Sequence, residues 1–105
     1  MYIQKEENPR RYGVYFPKTN TQVICQLEPD SLDGPDRIII GEVKYSKRAK
    51  AALKILYAAP LQEYLERFAP KGFNTVAKAD TTNAIERAFQ VFIEERFDIK
   101  PELSK

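Results

Sequence analysis

No histidine occurs in the 105 residues, and that absence removes the commonest general base, the commonest metal ligand and the physiological pH switch together. Serine and cysteine triads, zinc sites and histidine-based nucleases are excluded with it. Catalysis, if there is any, would have to use carboxylates, lysines or tyrosines with a hard metal ion such as Mg²⁺. Cysteine is nearly as scarce. The single Cys25 forbids an intrachain disulfide and a thiolate cluster, and suits a reducing, cytoplasmic setting. Long apolar runs are missing as well. None approaches the roughly 20 residues of a membrane-spanning helix, and no signal-peptide core follows Met1, so no membrane association is expected.

What remains is ordinary globular material, 43% hydrophobic and 30% charged, enough for one modest core. A single domain over residues 1–97 is expected, with a polar tail at 98–105 that frays. The net charge of +2 is too small to argue for a polyanionic partner, so any such argument rests on local clustering.

The first half reads as strands. Residues 11–16 (RYGVYF) are short and aromatic-rich, and Pro17 with Thr19–Asn20–Thr21 makes a turn. Residues 21–28 (TQVICQLE) alternate cleanly, Val23, Cys25 and Leu27 against Gln22, Gln26 and Glu28, as a strand with one wet face does. Residues 29–36 are turn-forming, and 37–45 (RIIIGEVKY) form the most apolar strand. Residues 1–5 add a short edge strand. If the connecting loop folds about residue 32, Ile39 falls opposite Cys25 and Gly41 opposite Val23, which places Ile39, Val43 and Tyr45 on the core face with Val23, Cys25 and Leu27.

The second half reads as helix from Ser46 to about Phe68, kinked or restarted at Pro60, with Leu53, Leu56, Tyr57, Leu61, Tyr64, Leu65 and Phe68 as its stripe. Residues 73–78 are a strand candidate. A last helix, capped by Asp80 or Asn83, carries Ile85, Ala88, Phe89, Phe92 and Ile93. The order βββαβα predicts an α/β fold of the α+β kind: a two-layer sandwich with an antiparallel three-stranded meander, one further strand, and two or three helices.

Five basic residues and no acidic one lie between Lys44 and Lys54. With Ser46 as N-cap, Lys47, Arg48 and Lys50 fall in the first helical turn, where cations oppose the macrodipole unless an anion sits between them. Arg10, Arg11, Tyr12, Tyr15, Phe16 and Lys18 interleave cations with aromatics, as single-strand-binding sheets do. The leading expectation is therefore a non-enzymatic module binding nucleic acid or another polyanion. Its site would comprise Arg10, Arg11, Tyr12, Lys18, Lys44, Tyr45, Lys47, Arg48, Lys50 and Lys54, and it needs no cofactor. Tyr12 or Tyr45 would stack on bases.

Pro29–Asp30 followed at a distance by Glu42–Val43–Lys44 resembles the PD-(D/E)XK nuclease superfamily, and IIIGEVKYS resembles its central strand. The resemblance implies Mg²⁺ held by Asp30 (or Glu28) and Glu42, with Lys44 steadying the attacking water. Hairpin arithmetic opposes this: Glu42 would pair near Gln22 and Lys44 near Asn20, leaving Asp30 about 20 Å away at ~3.3 Å per residue. The nuclease, or a catalytically dead relative, is thus an alternative. A small regulatory protein with a protein partner is the other. A homodimer is also expected as an option, through the aromatic stripe Phe89, Phe92 and Phe97 or through the mixed outer face of the sheet.

Overall fold

Asn20 is where the meander is tied together. It closes the turn after residues 10–16 with a left-handed backbone (φ 50°), a conformation asparagine tolerates better than most residues, and its N–H donates to the Pro17 carbonyl at 3.3 Å. Its side chain accepts from the Tyr15 hydroxyl at 2.6 Å and donates to the Tyr45 carbonyl at 3.0 Å. One residue thus joins three consecutive strands. Asn20→Gly, which keeps the backbone and loses the side-chain bonds, should cost about 1 kcal/mol, and Asn20→Ala, which adds left-handed strain, about 2 kcal/mol. Urea titration of the two variants measures the difference.

The computed structural model describes residues 1–7, 10–28, 36–45, 52–69 and 78–103. Five strands, β1 (Gln4–Glu7), β2 (Arg10–Phe16), β3 (Thr21–Glu28), β4 (Arg37–Lys44) and β5 (Ala52–Pro60), pair in sequence order as one antiparallel sheet. Helices α1 (Leu61–Phe68) and α2 (Lys78–Phe97) supply the second layer, so the expected α+β two-layer sandwich is the architecture observed. Ile3, Tyr12, Val14, Val23, Cys25, Ile38 and Ile40 from the sheet side meet Tyr64, Phe68, Ile85, Ala88, Phe89, Phe92 and Ile93 from the helices. Phe89 and Phe92 are therefore core, not spare surface for a dimer. Among the described residues no helix is long and apolar enough to cross a membrane.

The expected helix across residues 52–60 is corrected. Residues 52–60 form a strand, not the middle of a helix running from Ser46. Pairing decides this: β3 satisfies one edge of β4, and the bonds β5 makes along the other edge outweigh the helix preference of an Ala- and Leu-rich segment. A bulge between Ile40 and Gly41 leaves Leu53 and Ile55 on the outer face and turns Tyr57 and Ala59 inward. Helix α1 starts only at Leu61, whose N–H is satisfied by the Asp36 carbonyl at 2.8 Å. The extra strand expected at 73–78 falls mostly outside the described residues, and Lys78 is already helical.

The β3–β4 register is one residue from the expected one: Cys25 faces Ile40 and Val23 faces Glu42. A one-residue slip reverses every side chain of a strand, so Ile38 and Ile40 enter the core while Ile39 and Val43 face outward. The tail is docked where fraying was expected. Asp98, left-handed at φ 57°, ends α2, and the chain returns beside the N-terminus. There Ile3 N–H donates to the Glu102 carbonyl at 2.7 Å and Glu102 N–H to the Met1 carbonyl at 2.8 Å, with Pro101 buried.

Candidate polyanion site

The turn between β2 and β3 and the end of β4 lie at the same end of the sheet, because Phe16 pairs with Thr21 and Thr21 with Lys44. Lys18 on the turn and Lys44 on the strand, far apart in sequence, therefore border one pocket of about 450 Å³. Its apolar wall comes from Met1, Phe16, Phe97 and Ile99, and its polar lining includes Thr19, Thr21 and Glu42. The rings of Phe16 and Phe97 stand 5.1 Å apart, tilted by 38°, so the docked end of α2 supplies half of the wall. Thr21 is buried and its hydroxyl donates to the Thr19 carbonyl at 3.1 Å.

The charged side chains lining the pocket are Lys18, Lys44 and Glu42. The Glu42 carboxylate lies 3.8 Å from the Lys44 ammonium, with 17% of the Glu42 side chain exposed against 73% for Lys44. Lys54 sits across the ladder from Glu42 and is exposed. An ion pair this open contributes little to stability, which leaves the Lys44 head available to a ligand. Lys47, Arg48 and Lys50 lie outside the described residues. The described chain leaves the sheet at Tyr45 and rejoins it at Ala52, directly opposite Lys44.

The remaining expected residues divide. Tyr45 is exposed next to Lys44, its hydroxyl donating to Gln22 at 3.0 Å. Tyr12 is not available for stacking: it is buried against the helix layer, and burial, aided by Glu86, pushes its hydroxyl up to about 12. Arg10 and Arg11 stand at the opposite end of β2, six residues from Phe16 and hence about 20 Å from the pocket. Arg11 faces Glu6 at 3.7 Å on the outer side of the sheet. Arg10 and Arg11 thus lie apart from Lys18, Lys44 and Lys54, because β2 is extended along its whole length.

For the nuclease reading, Glu42 lies opposite Val23 and Lys44 opposite Thr21, and neither neighbour is acidic. Glu28 pairs with Arg37, five residues and about 17 Å from Glu42, on the opposite face of the sheet. Asp30 lies outside the described residues. Among the described residues no three His, Cys, Asp or Glu side chains gather to hold a metal ion.

Phe97, Ile99 and Thr21 were not anticipated as site residues, whereas Phe16 belongs to the expected basic and aromatic strand. Thr21, the polar member of a strand face otherwise made of Val23, Cys25 and Leu27, was the one legible hint among these three. Searches against protein-family models, curated proteins and solved structures find no match for this chain.

Proposed function

We propose that this protein is a small non-enzymatic binding module that takes single-stranded nucleic acid at the lysine-bearing end of its sheet. Phosphates contact Lys18, Lys44 and Lys54, together with the basic segment that carries Lys47, Arg48 and Lys50. An unpaired base enters the pocket against Phe16 and Phe97. The observation that carries the reading is the meeting of Lys18 and Lys44 on the rim of one pocket with an aromatic wall. Cations at the mouth and rings inside match a ligand with a charged backbone and flat apolar groups. The proposal includes a reducing, cytoplasmic setting, in keeping with a lone buried thiol.

Fluorescence anisotropy with a labelled single-stranded oligonucleotide provides the test. Three to six phosphate contacts give a log–log salt slope of about −2 to −4. Lys18→Glu with Lys44→Glu should weaken binding by at least about tenfold at low salt and flatten that slope, whereas Arg10→Glu should leave both nearly unchanged. A chelator should have no effect. Mg²⁺-dependent cutting lost in Glu42→Ala and Lys44→Ala would instead favour the nuclease resemblance.

A further inference from the structure

Among the described residues, the outer face of the sheet carries no helix. Across it, the β3–β4–β5 side presents Ile24, Ile39, Val43, Leu53 and Ile55 around Gly41, forming a shallow groove of about 330 Å³. Leu53 and Ile55 are 60% and 52% exposed. Leu53 leans over Gly41, where an added Cβ would come within 2.5 Å of its Cδ1, so the missing side chain lets an aliphatic group lie flat on the sheet. Strand β4 is apolar on both faces, Ile38 and Ile40 inward, Ile39 and Val43 outward. That pattern belongs to strands covered on both sides, yet the described residues cover only one.

We infer that the outer face is covered by the same face of a second copy, giving a two-fold homodimer of four layers, helix–sheet–sheet–helix. Charge and area argue for that occupant. The charged side chains on this face are matched within it, Glu6 with Arg11 at 3.7 Å and Glu28 across the ladder from Arg37, so it offers a strongly charged partner little to pair with, while an identical neutral face fits it. Five strands of four to nine residues, about 4.8 Å apart, present roughly 570 Å² per copy, or about 1,100 Å² in total, near the lower end for a specific interface. Pairing through the β5 edge is opposed by Lys54, the bulge and Pro60, the devices that blunt an open edge. Lys44 and Lys54 point to the other side of the sheet, so the proposed nucleic-acid site stays open in the dimer, once per copy.

Sedimentation equilibrium of the full chain from low to high micromolar concentration tests this, with Ile55→Lys and Ile24→Lys as disrupting variants. Glu94→Gln, on the helix layer and with the same change in charge, is the control. The expected result is a concentration-dependent two-copy mass in the wild type and the control, and a one-copy mass in both lysine variants. In the wild type alone, the methyl resonances of Ile24, Ile39 and Ile55 should be shielded from a soluble paramagnetic agent at high protein concentration and broadened at low, a reading that does not depend on how the variants fold. A wild type that stays monomeric throughout overturns the inference and leaves the face to a different partner. A dimer that survives Ile24→Lys but not Ile55→Lys overturns it in favour of edge pairing.

Discussion

Tyr64→Ala should destabilise the protein by about 4 kcal/mol, enough to leave a domain of ordinary stability largely unfolded. Tyr64 is fully buried at the junction of the two layers. Its ring packs beside Tyr57 and Phe68, with centroids 6.1 and 5.7 Å away. Its hydroxyl donates to the Ile85 carbonyl at 2.9 Å and accepts from the Cys25 thiol at 3.8 Å. One side chain of α1 thereby holds β3 and α2. Truncation opens a cavity and removes the thiol's partner together. Tyr64→Phe, which keeps the ring, should cost only about 1 kcal/mol. Urea denaturation separates the two: similar losses in both variants would mean that the hydroxyl bonds, not the packing, hold the junction.

Alkaline conditions should remove a comparable amount of stability without any mutation. Burial pushes the Cys25 thiol from 9.0 up to about 12, and the Tyr64 hydroxyl well above 10. Both groups are neutral when protonated and have raised folded values, so above pH 9 the unfolded chain sheds protons that the folded chain retains. Stability is then fully present below pH 9 and declines as pH rises from there towards 12. The three-unit shift of Cys25 corresponds to about 4 kcal/mol by pH 12, and Tyr64 adds to the decline above pH 10. Urea midpoints should be level from pH 7 to 9 and drop steadily beyond. Cys25→Ala should remove the part of the slope that begins at pH 9. The same burial predicts that thiol reagents modify Cys25 only in urea. A midpoint unchanged between pH 9 and 11, or rapid labelling of the native protein, contradicts a sealed Cys25–Tyr64 junction.

How much of this was legible in the sequence depended on whether a segment's pattern was ambiguous. β3 alternates apolar and polar residues, and both its limits and its inward face are as read. Ile38–Ile39–Ile40 is apolar on both faces, so either register buries isoleucine and the pattern could not choose between them. β5 satisfies two periods at once: Leu53, Leu56 and Tyr57 recur as on a helix, while Leu53, Ile55, Tyr57 and Ala59 alternate as in a strand. Only the need of β4 for a partner decides, and that is a tertiary fact. The site was half visible for the same reason. Lys18, Lys44 and Lys54 stand out by charge. The contribution of Phe97 and Ile99 arises because the chain after α2 docks beside the N-terminus, which no local pattern encodes.

The claim that the lysine-bearing end of the sheet binds nucleic acid is tested most directly by following backbone amide resonances during titration with a short single-stranded oligonucleotide at low salt. The account predicts saturable shifts concentrated at Phe16–Thr21, Glu42–Lys54 and Phe97–Ile99, reversed by added salt, with the amides of Ile24, Gln26 and Ile39 unmoved. Shifts centred on those outer-face strands, or no shifts at all, would contradict it.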